Sequence, residues 1–263
     1  VNFFDAITNG NFEITKSTLN NWTCVLSDKL DPLISKIKQG LFNSYYVNTD
    51  ESPINVNGKN HQIHSYSNEK YTLQYAHEKK SKSAIIELGF LPNYVGTLIH
   101  DHNTVQYNWG TKHGECNAHI LRYLKAAKEF TKHKWSLEMA DLLKEILHCK
   151  HSLLLENVSN FSKAKLDSYS QKYDDILKTA SNEYLSDYET NAYKADEKKL
   201  ISRLKKYKEN HLLFMYDFKI PFTNNRAETD IRPAKRKQNV GIFRSQEGAR
   251  CYLRIRSFIS TFL

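Results

Sequence analysis

The 263-residue chain is short of the residues that interrupt secondary structure, with nine glycines and five prolines. Beyond Glu115 no glycine occurs before Gly241, and no proline occurs from Asn93 through Ile220. That excludes a turn-rich β architecture for this half and predicts helices. No apolar run approaches the ~20 residues needed to span a bilayer, and no basic, aromatic-faced terminal helix appears, so the chain reads as soluble with no membrane partner. Four cysteines, Cys24, Cys116, Cys149 and Cys251, are scattered with no C-x-x-C pair, which reads as reduced thiols rather than a disulfide frame. There is neither an initiator Met before Val1-Asn2-Phe3-Phe4-Asp5 nor a signal sequence, as expected of a piece of a longer polypeptide. Acids are also short, 29 against 38 Lys plus Arg, giving a net charge of +9. The resulting pI near 9.2 favours an anionic partner, with nucleic acid foremost.

Residues 1–40 read as helical, with breaks at Asn9-Gly10 and near Gly40. Ser17 is positioned to N-cap a helix carrying Leu19, Trp22 and Leu26 on one side. From Ser44 the pattern changes to short strands: Tyr45 to Thr49, then Ile54 and Val56 alternating before Asn57-Gly58, a tight-turn signal. His61 to Ser67 and Tyr71 to His77 extend this to an antiparallel meander. Lys82 to Phe90 reads as a helix ending near Gly89, and Gly96 to His102 as a buried strand that delivers Asp101 at its carboxyl end. Later, Trp135, Met139, Leu142, Leu143, Ile146 and Leu147 keep helical spacing, as do Ile201, Leu204 and Tyr207. The polar stretch Asn160 to Lys199 reads as an exposed helical hairpin pointing outward.

Near the end, Glu228 and Asp230 sit among Arg226, Arg232, Lys235, Arg236, Lys237 and Arg244. Asn224 and Asn225 read as an N-cap for a helix running to about Arg232, where Pro233 disfavours continuation. Glu228 then lies one turn in, a carboxylate inside a positive field that suits a phosphate backbone. Taken alone, the segment's plainer reading is a solvated charged helix.

Asp50 at the end of the first strand, Asp101 after a later strand and Glu228 on a helix beyond a helical insertion come in the order in which an RNase H-like fold assembles three carboxylates. Two Mg²⁺ ions need acids from separate elements to bridge and flank them. Asn48-Thr49-Asp50-Glu51-Ser52, Val56-Asn57-Gly58-Lys59-Asn60-His61, His100-Asp101-His102, Cys116-Asn117-Ala118-His119-Ile120-Leu121-Arg122, Thr223-Asn224-Asn225-Arg226-Ala227-Glu228 and Gly241 to Ser245 with Arg256 to Ser260 together resemble the DDE transposases of the insertion-sequence-66 family. The match runs over nearly the whole chain.

The resemblance implies an α/β (α+β) fold: an RNase H-like core with a mixed five-stranded sheet, N-terminal helices over 1–42, core segments 43–132 and 218–263, and a helical insertion over 133–217. It implies Asp50, Asp101 and Glu228 as catalytic, metal-binding acids, two Mg²⁺ (or Mn²⁺) ions, and double-stranded DNA, at transposon ends and target, as partner. It also implies a homo-oligomer on DNA and a place in the bacterial cytoplasm with the nucleoid. Departures are Ser52-Pro53 where Thr-Gly is common, Gln62 for a Trp, Tyr123 for a Glu and Asn103 for an aromatic. None replaces a triad acid, though Pro53 is placed to bend its strand. A remnant that binds DNA without chemistry is the alternative.

Other readings stand beside the triad. Glu51 competes with Asp50 as the ligand. His100 and His102 are expected to point away from Asp101 and to pack or contact DNA. Cys116 and His119 read as a buried thiol and a capping or DNA-facing His. Asp230 reads as a solvated acid. Arg226, Arg232, Lys235, Arg236, Arg244, Arg254, Arg256, Lys125 and Lys128 are the candidate DNA contacts, with Lys132 and Lys134 extending the last two along one groove.

Overall fold

A computed structural model describes residues 15–187 and 193–262, and the expected helix start and the Asn9-Gly10 break lie outside them. Ten α-helices and five strands occur among the described residues. The hydrogen-bonded strand order is β3-β2-β1-β4-β5, and the chain divides into two compact units.

The first unit comprises Val1–Leu98, Thr104–Thr111 and Asn225–Leu263. Its first described helix, α1 (Lys16–Lys29), is capped by Thr15, whose Oγ1 accepts the Thr18 N–H at 3.1 Å, so the cap is Thr15 and not Ser17. Trp22 and Leu26, on one side of the helix as their spacing predicts, are 54% and 49% exposed. Ser27 is buried instead. The inward stripe is polar because the facing helix presents arginines: Arg254 Nε donates to Ser27 Oγ at 3.0 Å.

Helix α2 (Asp31–Phe42) carries Pro32 in its first turn and buries Ile34, Ile37 and Leu41 at helical spacing. Gly40 does not break it. A Cβ there would stand 2.6 Å from the Tyr71 ring, so glycine admits close packing inside the helix.

The meander is β1 (Tyr46–Val56), β2 (Lys59–Ser67) and β3 (Thr72–His77), antiparallel throughout. Asn57 and Gly58 turn with φ of 51° and 81°, the positive pair that a type I′ hairpin demands. Pro53 pairs in register with Gln62 without a bulge, so it does not disturb the strand. Its other side needs no donor, because β4 (Thr97–His100) has four residues and begins beside Tyr45 (Thr97 N to Tyr45 O, 3.1 Å), well before Pro53. Helix α3 (Lys82–Leu88) follows, capped by Ser81 and ended by left-handed Gly89.

Helix α9 (Asn225–Val240) runs through Pro233 rather than stopping at Arg232. Proline removes one helical hydrogen bond. Burial of Ile231 and Ala234 against Ile54, Val56 and Ile63 outweighs that loss. Helix α10 (Gln246–Phe262) covers the open edge of β3: Thr72 N donates to Thr261 Oγ1 (3.0 Å) and Gln74 N to Ser257 Oγ (2.9 Å). Side-chain hydroxyls thus satisfy an edge that would otherwise recruit another strand.

The second unit comprises Ile99–Asn103 and Lys112–Asn224. It holds β5 (Lys112–Glu115), α4 (Asn117–Thr131), α5 (Trp135–Leu155), α6 (Lys163–Ser186), α7 (Lys194–Lys206) and α8 (Lys208–Tyr216). Helix α5 buries Trp135, Met139, Leu142, Leu143 and Ile146 as its spacing predicts. Helix α6 is not an outward arm: Tyr169, Tyr173, Leu177 and Ala180 are buried, and Tyr173 donates its hydroxyl hydrogen to Leu204 O at 3.1 Å. Tyrosines supplied the apolar stripe in a stretch that reads as polar.

Candidate carboxylate site

Within the first unit, Asp50 and the helix bearing Glu228 face one another. Asp50 pairs with Ser65, and Ser65 with Gln74, so the three stand in one row on one face of the sheet. Gln74 Nε2 donates to the Asp230 carbonyl at 2.8 Å, and Thr72 Oγ1 donates to Asp230 Oδ2 at 2.8 Å. Those bonds fix α9 over that face, with Glu228 in its first turn. Alternation sends Glu51 to the other face, where it meets Gln106 Nε2 (3.1 Å), His64 Nδ1 (3.3 Å) and Lys80 Nζ (3.4 Å). Asp50 and Glu228 are half-buried, whereas the Glu51 side chain is 4% exposed. Of the two neighbours, Asp50 is the one presented to α9. Lys235, also on α9, donates to Pro53 O. Burial lowers its pKa, and the Asp50 charge works against that shift, which places the ammonium in the field of the acid.

Asp230 is not a solvated acid. It is 6% exposed, bonded to Thr72 and paired with Arg226 Nε at 3.3 Å. Burial raises its pKa, while Thr72 and Arg226 act in the opposite sense. It stands two positions from Glu228, yet Asp230 fastens α9 to β3. Sequence spacing showed only that the two acids occupy different helix faces.

Asp101 belongs to the second unit, directly after β4. The residues around it are tightly held. His100 is fully buried, with Nε2 3.2 Å from His113 Nδ1, and burial, reinforced by His113, lowers its pKa to about 3, so it is neutral. His102 has φ of 33°, a left-handed conformation that is uncommon for any residue with a Cβ. The expected strand alternation therefore ends at His100. The His102 ring is hydrogen-bonded through Nδ1 to Glu115 Oε1 and meets Tyr207 edge-on at 4.7 Å. Glu115 is buried at the end of β5 and receives both Nε (3.0 Å) and Nη2 (2.5 Å) of Arg203. His211 Nε2 lies 3.7 Å from the same carboxylate, with its pKa lowered to about 4 chiefly by burial. No spacing signal could have joined Glu115 to Arg203, 88 positions apart. Cys116 is the expected buried thiol, its Sγ accepting the Asn224 N–H at 3.2 Å.

The basic residues divide by commitment. Arg226 donates to Ser260 O (3.0 Å) besides its pair with Asp230, and Arg254 is bound to Ser27 and Asp31. Arg256 is half-buried near enough to act on Asp230. Arg232, Arg236 and Arg244 are exposed. In the second unit Lys125 is exposed, 3.9 Å from Glu129, and Lys128 is half-buried.

A family model described as Transposase IS66 family matches residues 4–251. The chain belongs to that family. No curated protein matches it. For a member of the IS66 transposase family the expected substrate is DNA, in keeping with the basic chain, and the match spans Asp50, Asp101 and Glu228. No helix among the described residues is long and apolar enough to cross a membrane.

Proposed function

We propose that this IS66-family chain is the catalytic part of a DDE transposase, in which Asp50, Asp101 and Glu228 form the acidic triad of an RNase H-like core and the helices between Asp101 and Glu228 are an insertion. The observation that carries the reading is the placement of Asp50, and not Glu51, on the sheet face covered by the helix of Glu228.

The donor set fits the metal that such chemistry requires. All three are carboxylates, hard oxygen ligands suited to Mg²⁺ or Mn²⁺ rather than to thiophilic ions. Two such ions, when bound, supply activation of the attacking oxygen and charge stabilisation at the leaving one. The chain's own part is to hold and orient. The row Asp50, Ser65, Gln74 and the Asp230 anchor fix the strand against the helix. The Glu115, Arg203 and His102 contacts hold the segment of Asp101. Exposed Arg232, Arg236 and Arg244 bind phosphates, while Lys235 tempers the charge on Asp50.

In the overall reaction water cleaves a phosphodiester at a transposon end and leaves a 3′-hydroxyl. That hydroxyl then displaces a 3′-oxygen from a target phosphate, exchanging one phosphodiester for another. Asp50→Asn, Asp101→Asn and Glu228→Gln are each expected to abolish Mg²⁺-dependent cleavage of end-containing DNA while folding and DNA binding persist. Robust cleavage by Glu228→Gln overturns the assignment. The binding-only remnant predicts no carboxylate-dependent uptake of Mn²⁺ in calorimetry.

A further inference from the structure

Cysteines that the sequence scatters are brought together in the first unit, away from the acids. Cys24 on α1 and Cys251 on α10 stand with Glu247 so that Sγ, Sγ and a carboxylate oxygen all lie within 4.8 Å of one another. The helices determine this. Glu247 and Cys251 are four apart on α10, hence on one face, and Cys251 Sγ already donates to Glu247 Oε1 at 3.5 Å. Opposite them, Cys24, Ser27 and Asp28 fall on one stripe of α1, with Asp31 following at the start of α2, and meet Cys251, Arg254 and Arg250: Arg254 binds Ser27 and Asp31, and Arg250 Nη2 lies 3.2 Å from Asp28 Oδ1. The helices come close here. A Cβ on Gly248 would lie 3.2 Å from Asn20 Oδ1.

We propose that Cys24, Cys251 and Glu247 form a binding site for a thiophilic divalent cation, Zn²⁺ by its chemistry, that clasps α1 to α10. Two sulfurs and one carboxylate oxygen make a mixed soft and hard donor set, which suits a borderline ion that takes tetrahedral S and O ligands, and not Mg²⁺. Cys251 is buried and Cys24 half-buried, while the Glu247 side chain is 58% exposed. The site is thus closed on its sulfur side and open on its carboxylate side, leaving a fourth position for water. Two thiolates and a carboxylate carry three negative charges, which a divalent ion and the Arg250 guanidinium, 2.6 Å from Glu247 Oε1, together neutralise. The ligands come from near the two ends of the described chain, so the ion would fasten together segments that chain connectivity leaves far apart.

The full chain, kept reduced, is titrated with Co²⁺ as a spectroscopic stand-in. The expected result is one Co²⁺ per chain with sulfur-to-cobalt charge transfer in the near ultraviolet, displaced by Zn²⁺. An oxygen-only site at the triad acids gives no such band, so failure of the transposase reading and failure of this one are told apart. Cys24→Ser changes a half-buried position and is expected to lose the band and the rise in Tm that Zn²⁺ gives, while keeping its metal-free Tm. Glu247→Gln is expected to keep a sulfur band but to need more Co²⁺ to develop it. Cys149→Ser is expected to behave as the parent. Absence of the band in the parent, or its survival in Cys24→Ser/Cys251→Ser, overturns the site.

Discussion

The two units solve the same problem, joining helices to strands, with different chemistry. In the first, short neutral side chains do the joining: Thr72, Gln74, Ser257 and Thr261 bond to backbone or to one another's elements, and the buried acid Asp230 sits at the end of that chain. In the second, buried charges do it. Glu115 is clasped by Arg203, and Glu197, fully buried, accepts from Trp135 Nε1 (2.8 Å) and sits 2.7 Å from His133 Nδ1. Lys150 Nζ donates to the carbonyls of Phe214 (3.2 Å) and Ile220 (2.7 Å), with burial lowering its pKa to about 8. A hydroxyl left unbonded can recover part of its loss from water at a sheet edge, whereas a buried charge stripped of its partner cannot. The first unit should therefore tolerate polar substitutions that the second does not.

The largest effect expected of this contrast is at Arg203. Arg203→Met keeps the stem but leaves the Glu115 carboxylate buried beside His211 and His102 without its bidentate partner. A loss of about 3–5 kcal/mol in denaturant unfolding is expected, the usual cost of breaking one side of a buried pair. Double replacement with Glu115→Gln should recover much of it, since the stranded charge is then gone. No recovery would mean that the contact of the Arg203 guanidinium with the Tyr123 ring, 5.6 Å from its centroid, dominates.

Within the first unit the two acids of α9 offer a sharper and smaller contrast. Asp230→Ala leaves the Thr72 hydroxyl and Arg226 without their partner and should cost about 1–3 kcal/mol, whereas Glu228→Gln should change stability by no more than about 0.5 kcal/mol and remove cleavage instead. The pH dependence has a definite sign. The Asp230 pKa is raised on folding, so the folded state holds the proton more tightly than the unfolded one. Its contribution is fully present below the unfolded pKa and is lost as pH rises through the folded value. Asp230→Asn should flatten that fall, read as the denaturant midpoint followed from acid to neutral pH.

What could be read from the sequence, and what could not, follows the same division. The meander, its Asn57-Gly58 turn, the Gly89 cap and the apolar stripe of α5 are local patterns, and they appear where period and turn chemistry put them. The helix through Pro233, the polar contact face of α1 and the burial of α6 depend on what lies across the packing interface, which no window of sequence contains. The acids show the same limit. Asp50 could be separated from Glu51 only once register was known, and Asp230 reads as solvated until Thr72, 158 positions away, is seen to bind it.

Pro233 tests whether packing truly overrides propensity. Proline costs about 3 kcal/mol more than alanine in a helix interior, partly offset by about 0.4–1 kcal/mol of unfolded-state entropy. Pro233→Ala should accordingly stabilise the chain by about 2–2.5 kcal/mol, seen as a raised denaturant midpoint at constant slope. A loss would show that the ring itself packs productively above Tyr252, whose hydroxyl donates to Pro233 O at 3.2 Å.

The smallest effect in energy, and the one that bears on DNA, compares the basic surfaces of the two units. Arg232, Arg236 and Arg244 are exposed on and after the helix of Glu228, while Lys125, Lys128, Lys132 and Lys134 lie along α4 and just beyond it, one of them beside Glu129. Neither set holds its unit together, so replacing each with Gln should leave unfolding midpoints nearly unchanged. Affinity for duplex DNA should instead fall, and the log-log dependence on salt should flatten by about 0.9 per phosphate contact removed. The arginine set is expected to flatten it by more, because guanidinium bonds phosphate through two donors at once and because these residues adjoin the proposed site. An unchanged slope in the lysine set alone leaves the first unit as the phosphate-binding surface. A larger change there than in the arginine set would move that surface to the second unit, where charges already buried in pairs would then be matched by charges kept outside for DNA.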